Sequence, residues 1–265
     1  MTPVDAALLG LVQGLTEFLP VSSSGHLVLT ASLLGLEPNL LFDVLVHLAT
    51  LVATVVYYRQ DVGRVLKSLV LVPKVGLAQS WTDDSFRLAM FVVVASVPTA
   101  MMGLGLKDVI EEHLATPSCV AGFLVVTGCL LAMTLTRRNT GAVVRLTMGT
   151  ALLLGVVQGC AILPGISRSG STIAVALVLG IAGKEAARFS FLMALPAITG
   201  ATFLSLLKLD ESHLGIHVIA IGLVSAGVSG WLALKWFIPL VEKGKLHYFA
   251  PYVWLLAIGT WMWMS

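Results

Sequence analysis

Two stretches of this chain, about 6–36 and 146–182, are apolar enough to enter a bilayer, yet each is broken in its middle by proline, glycine and serine. The breaks read Leu19-Pro20-Val21-Ser22-Ser23-Ser24-Gly25 and Leu163-Pro164-Gly165-Ile166-Ser167-Arg168-Ser169-Gly170. A proline inside a helix removes one backbone bond and frees a carbonyl. In hydrocarbon, freed backbone groups are tolerated only where protein covers them or a wet cavity meets them. Both stretches therefore read as re-entrant helix–loop–helix hairpins and not as crossings.

Six other stretches, about 40–58, 87–106, 118–136, 187–207, 215–235 and 248–264, approach the roughly 20 apolar residues that a crossing needs. Only 11% of the residues are charged and 57% are hydrophobic, against about 25% charged in a soluble domain. A soluble globule of this composition would expose large apolar patches. Disorder is excluded by the apolar content, nucleic-acid binding by a net charge of only +2, and an outer-membrane barrel by the length and continuity of the segments. The expectation is an all-α integral membrane protein: six transmembrane helices and two re-entrant hairpins in one membrane domain, 1–265. The N-terminus lacks the basic region of a cleavable signal peptide. Cys119, Cys129 and Cys160 have no metal-ligand spacing and read as small buried hydrophobes.

Loop charges agree with this arrangement. With neither hairpin crossing, thirteen basic residues share one side: Arg59, Arg64, Lys67, Lys74, Arg87, Arg137, Arg138, Arg145, Lys184, Arg188, Lys235, Lys243 and Lys245. Lys107 and Lys208 fall on the other side, among Asp108, Glu111, Glu112, Asp210 and Glu211. The positive-inside rule makes the basic side cytoplasmic and puts both termini outside. Counting either hairpin as a crossing would divide the basic loops between the faces.

Shifting the chain by 145 residues superimposes the hairpins: Gly10 falls on Gly155, Gln13 on Gln158, Gly14 on Gly159, Ser22 on Ser167, Ser24 on Ser169, Gly25 on Gly170 and Gly35 on Gly180. The expected repeats are about 1–140, with hairpin 6–36, and about 141–265, with hairpin 146–182. Three crossings separate the copies, so they enter from opposite sides. Inverted repeats of broken helices put a polar site near the midplane.

That site has charges. Glu17 is the only charged residue between Asp5 and Glu37, and Arg168 the only one between Arg145 and Lys184. Burying such a group near the bilayer centre costs about 2.5–3.5 kcal/mol on insertion scales. Arg168 is too many residues from either interface to snorkel. A purely structural Glu17–Arg168 pair would leave the clustered serines unexplained. The set suits a phosphate ester or anhydride. Arg168 offers a forked donor to phosphate oxygens, and the Ser-Gly turns open helix N-termini that attract anions. Gln13 and Glu17 share one helix face. Glu17 suits a general base or a divalent-cation ligand, His26 suits proton transfer, and Ser23 or a neighbour becomes a nucleophile if Glu17 or His26 activates it. Gln13, Ser22, Ser24, Gly25, Ser167, Ser169, Gly170 and Ser171 are the candidate head-group contacts.

Other features read as structural. Asp43 and His47, four apart, read as an interfacial cap. His213 and His217 lack the His-Glu-x-x-His pattern of zinc sites and read as an outer loop. Trp254, Trp261, Trp263, Tyr248 and Tyr252 suit interfacial belts, and Pro98 and Pro196 kink their spans. Ser24-Gly25-His26 and Ser167-Arg168 look like fragments of the acid-phosphatase signature. The Arg-Pro element and the later histidine of that signature are absent, so a phosphohistidine route has no support.

Gln13-Gly-Leu-Thr-Glu17-Phe-Leu-Pro-Val-Ser-Ser-Ser-Gly-His26 and Pro164-Gly-Ile-Ser-Arg168-Ser-Gly-Ser-Thr172 closely resemble the two signatures of the bacterial undecaprenyl-diphosphatase, or bacitracin-resistance, family. Glu185-Ala-Ala-Arg-Phe-Ser-Phe-Leu-Met-Ala-Leu-Pro196 is also similar to its segment in that family. The resemblance spans essentially the whole chain. It implies hydrolysis of undecaprenyl diphosphate in the bacterial cytoplasmic (inner) membrane, recycling the lipid carrier for peptidoglycan synthesis, with the active site open to the periplasm. By position, it implies that Glu17 and His26 are catalytic, that Arg168 binds phosphate and that Ser23 is the nucleophile. Ser22, Ser24, Ser167 and Ser169 match the polar lining. It also implies a divalent cation, Mg2+ or Ca2+, with Glu17 as ligand. Gln13 departs from the Glu that many members carry, which leaves one carboxylate for that ion. Expected partners are the polyprenyl diphosphate and membrane lipids, with no nucleic acid; a homodimer is left open. The competing reading is a transporter or flippase for undecaprenyl phosphate using the same midplane residues. An ion channel is unsupported, since no ring of like charges lines the hairpins.

Overall fold

The computed structural model describes residues 1–37, 39–114, 116–136, 145–207 and 214–264. Arg137, Arg138, Lys208, Asp210, Glu211 and His213 lie outside them, as do the side chains of Lys107, Asp108, Glu111 and Glu112. The described residues form helices and no strand.

The first hairpin is α1 (Pro3–Phe18) and α2 (Ser23–Leu33). A capping box starts α1: the Asp5 amide donates to Thr2 Oγ1 at 3.3 Å, and the Thr2 amide donates to the Asp5 carboxylate at 2.7 Å. It stops because Leu19 precedes Pro20 and is held extended. Then come α3 (Leu40–Tyr57), α4 (Arg59–Val75), the single turn α5 (Leu77–Ser80), α6 (Asp84–Val109), which runs into a π-helical turn, Ile110–Leu114, and α7 (Pro117–Ala132), extended by a 3-10 turn to Thr136. The second hairpin is α8 (Met148–Cys160) and α9 (Arg168–Val178), followed by α10 (Gly183–Leu206), α11 (Ile216–Glu242) and α12 (Ala250–Met264).

Five of these helices, α3, α6, α7 with its extension, α10 and α11, are long and apolar enough to cross a membrane. The sixth expected crossing forms 15-residue α12 behind a 3-10 turn at Leu246–Phe249, and together they reach about 30 Å, the thickness of the hydrocarbon core. The chain is a multi-pass membrane protein. Trp254 departs from the expected belt and docks on α7, its Nε1 donating to the Val125 carbonyl at 3.3 Å. Cys129 and Cys160 are exposed, not buried; in lipid an apolar side chain gains nothing by facing inward. The segment after α3, expected as a loop, is α4. Leu66, Leu69 and Val70 are exposed on it beside the basic Lys67 and Lys74, the pattern of a helix lying in the membrane interface.

The two hairpins are built alike. Ser22 and Ser167 cap α2 and α9, accepting from the amides of Gly25 at 3.4 Å and Gly170 at 3.1 Å. Both second half-helices end on a glycine with positive φ, Gly35 at 65° and Gly180 at 89°, a conformation that a Cβ disfavours. The closing bonds also match: Leu36 N–H to the Ala31 carbonyl and Ile181 N–H to the Ala176 carbonyl, the outer bond of a Schellman cap.

Each first half-helix lies against a crossing from the other half of the chain. A Cβ on Gly10 would stand 2.4 Å from the Gly222 carbonyl oxygen on α11, and one on Gly155 would stand 2.2 Å from the Ala95 carbonyl oxygen on α6. Only glycine permits that approach. At one end of the bundle Arg188 pairs with Asp61 at 2.7 Å and Gly183 meets Val241, gathering the ends of α3 and α11 with the starts of α4 and α10. At the other end Ala6, Phe42 and Val218 pack together, joining the starts of α1, α3 and α11. A ring cluster of Phe18, Phe191 and Phe237, with centroids 5.7 and 6.4 Å apart, ties α1 to α10 and α11.

Candidate active site

The break between α8 and α9 is secured by Thr127 of α7. Its hydroxyl donates to the Gly165 carbonyl at 2.9 Å and accepts from the Ser167 amide at 3.0 Å. The backbone groups freed by Pro164 thus find protein partners, as the membrane interior demands. The first tip rests on the second: Ser169 Oγ donates to the Leu19 carbonyl at 3.3 Å.

Between the tips stands Glu17, in the last turn of α1 and 6% exposed. Its Oε1 accepts from Arg168 Nη2. Its Oε2 accepts from Gln13 Nε2 at 3.0 Å and from Ser23 Oγ at 2.6 Å. Such charge-assisted bonds are roughly twice as strong as neutral ones. Arg168 Nη1 is buried and has no partner, so one arm of the guanidinium holds the carboxylate while the other is left for an incoming acceptor. The Gln13 Oε1 and Ser171 Oγ atoms are also buried and unpartnered.

A cavity of about 310 Å³ opens here, walled on its polar side by Glu17, Ser22, Ser23, Ser24, Ser167 and Arg168. The hydroxyls of Ser22 and Ser24 lie 3.3 Å apart, and those of Ser167 and Ser169 lie 3.4 Å apart. The caps consume the amides of Gly25 and Gly170. The first two amides of α2 and α9 are left without an acceptor in their own helix. Ser22 adopts φ 69°, the only left-handed non-glycine among the described residues, and this turns the serine run toward Glu17.

His26 does not line that cavity. Its Nδ1 lies 2.8 Å from the Ser22 carbonyl oxygen and its Nε2 lies 2.7 Å from the Tyr252 hydroxyl. A carbonyl only accepts, so Nδ1 carries the hydrogen and, in the neutral ring, Nε2 accepts from Tyr252. Nδ1 thereby holds the turn at Ser22, and Nε2 ties it to α12.

The imidazole on the cavity wall is that of His47. Its Nδ1 donates to the Asp43 carbonyl at 2.7 Å, which leaves Nε2 facing Glu17 Oε2 at 3.8 Å. The pair Asp43 and His47 is therefore not an interfacial cap: Asn39 caps α3, accepting from the Phe42 amide at 2.9 Å. The i, i+4 spacing was visible in the sequence, and Thr50 and Thr54 continue the same face, but nothing there showed that this face meets α1. Thr99 and Gln158 also line the cavity; Gln158 Nε2 donates to Thr99 Oγ1 at 3.2 Å. The shift of 145 residues marked Gln158 only as the counterpart of Gln13.

A bound Mg2+ or Ca2+ needs about six or more oxygen ligands. Glu17 is the one carboxylate on the cavity wall, and both of its oxygens are engaged, one by a guanidinium that repels a dication. Among the described residues no group of three or more His, Cys, Asp or Glu side chains is gathered to hold an ion. The protein's own donors do not fit a resident dication. What the arrangement offers chemically is a hydroxyl on a carboxylate beside an unfilled cationic arm.

A model of the bacitracin resistance protein BacA family matches residues 6–259. A protein of Desulfosudis oleivorans named undecaprenyl-diphosphatase is 44% identical over 273 aligned residues, covering 100% of this chain and 99% of the relative. Proteins of the same name from Syntrophotalea carbinolica and Methanobrevibacter smithii are 44% and 38% identical, covering 97% and 99% of this chain and 97% and 98% of the relatives. These names speak for a hydrolase and do not favour the flippase reading.

Proposed function

The chain belongs to the bacitracin resistance protein BacA family, and from that premise we propose that it hydrolyses undecaprenyl diphosphate to undecaprenyl phosphate and inorganic phosphate. The product re-enters cell-wall synthesis as lipid carrier, and the activity confers resistance to bacitracin. The observation that carries this reading is the Ser23–Glu17–Arg168 set, with a hydroxyl, a carboxylate and a half-used guanidinium converging on one cavity.

In this reading the Arg168 Nη1 arm and the free amides of α9 bind the terminal phosphoryl group and neutralise charge that grows in the transition state. Ser23 Oγ attacks the terminal phosphorus as its proton passes to Glu17 Oε2. The bond to the bridging oxygen breaks, and its electron pair leaves with undecaprenyl phosphate. Water then attacks the phosphoserine; Glu17 returns its proton to Ser23 Oγ as the Oγ–P bond breaks, and the water's oxygen and protons leave with inorganic phosphate. His26 holds the left-handed Ser22 turn that aims Ser23, and His47 in its protonated form donates from Nε2 to Glu17 or to a phosphate oxygen.

The hairpins enter from opposite leaflets as two inverted repeats, the active site opens outward and both termini face outward. The Arg188–Asp61 pair supports the second hairpin's return to its own side: two crossings separate α3 from α10 only if that hairpin does not cross. The Ala6, Phe42 and Val218 cluster does the same for the first hairpin.

Purified protein supplied with undecaprenyl diphosphate should release phosphate, and Glu17→Ala and Arg168→Ala should each lose about 10²-fold or more in kcat/KM. Wild-type turnover in both variants would refute the proposal.

A further inference from the structure

The cavity has two unlike sides. Besides the serines and Arg168, its wall carries hydrocarbon: Ile162 and Ile166 of the second tip, and Ala197, Ile198 and Ala201 of α10. The sequence of α10 accounts for this wall. The helix is buried from Phe189 through Ala194, then exposed at Pro196, Thr199, Gly200 and Ala201, with Ala197 and Ile198 half-buried between them. Proline there cannot bond the carbonyl four residues back, which weakens the helix where it leaves the core. Ala197 and Ala201 are four apart and share a face. Their methyl groups leave a trough beside the two isoleucines. Beyond this rim the surface stays apolar, with Phe203 and Leu204 of α10 and Met101 and Leu104 of α6 all exposed.

We propose that this trough seats the first isoprene units of the lipid substrate, with Ala197 and Ala201 as the residues that admit the chain from the bilayer. The assignment rests on the diphosphatase reading in placing the head group at Glu17 and Arg168. The chain is covalently attached to that head group, so it must leave the same cavity. The α10 side of the wall is apolar and continuous with lipid-facing surface. A second chamber of about 350 Å³ meets the first at Ser24 and His47. Leu9, Leu27, Val28, Ala31 and Leu36 line it too, but Glu37, Asn39 and Asp43 set polar groups along its wall, where the α10 trough sets none against a hydrocarbon chain.

Ala197→Trp and Ala201→Trp should each raise KM for phosphate release from farnesyl diphosphate about tenfold or more, with kcat within about twofold of wild type. Ala201 is exposed, so its replacement disturbs no packing in the free protein. Inorganic diphosphate, which has no chain, should inhibit both variants as it inhibits wild type. An unchanged KM would overturn the proposal, as would a diphosphate Ki that rises in step with KM. A prenyl diphosphate bearing a diazirine on its first isoprene unit should label Ile162, Ala197, Ile198 or Ala201. Labelling of Leu27, Val28 or Ala31 in the second chamber would overturn the assignment. The label needs no turnover: a wild-type protein labelled on α10 that releases no phosphate would keep the trough and refute only the diphosphatase reading.

Discussion

The Ser23 hydroxyl donates to Glu17 Oε2 at 2.6 Å across the break between α1 and α2. A serine held this way is already oriented to lose its proton as it attacks. Ser23→Ala should therefore lower kcat at least about 10³-fold with little change in KM. Acid quenching of a single turnover with labelled substrate should trap phosphate on Ser23 in the wild type. A variant that keeps most of its turnover would move the nucleophile to water.

Arg168 divides its two terminal nitrogens, one on Glu17 and one left free in the burial of the site. A lysine keeps the charge but supplies a single ammonium in place of the planar fork. Arg168→Lys should lose about 10²-fold in kcat/KM, measured as phosphate release. Removing Glu17 should also destabilise the fold, because it strands a buried guanidinium at a cost of about 3–5 kcal/mol; thermal inactivation in detergent measures this.

Thr127 satisfies two backbone groups at the second break with one hydroxyl. Thr127→Val keeps the shape and leaves the Gly165 carbonyl and the Ser167 amide unpaired, about 1–3 kcal/mol of lost stability. Activity should fall as well, since Ser167 precedes Arg168. Thr127→Ser keeps the hydroxyl and should retain most of both. Melting temperature and phosphate release, measured on the same preparations, test the pair.

Gln13 gives Glu17 a hydrogen bond where a second carboxylate would give repulsion. Gln13→Glu should therefore create the anionic pair that a dication binds. After chelation its phosphate release should drop further than that of wild type, and titration with Mg2+ should restore it.

Much of this molecule was legible in its sequence. The prolines and serines betray both hairpins because a freed amide in hydrocarbon has few remedies, and two isolated charges in apolar stretches give away Glu17 and Arg168. What stayed hidden follows from what a bilayer removes. On α3 the polar residues Asp43, His47, Thr50 and Thr54 recur at helical spacing and mark one face, but nothing in the sequence says which helix that face meets. Along α7 and α8 uniform apolarity hides the outward turn of Cys129 and Cys160. In α4 frequent charges look like a loop until the exposed leucines and valines are seen to share one face. His26 stands in its expected motif, but only Tyr252, more than two hundred residues away, reveals that its ring nitrogens are taken.

The glycine seams have a consequence for biogenesis. Since α1 rests on α11 and α8 on α6, the halves of the polypeptide clasp one another, and neither can complete its interior alone. During synthesis the leading hairpin must wait, with an uncompensated carboxylate, until Arg168 and then α11 leave the ribosome.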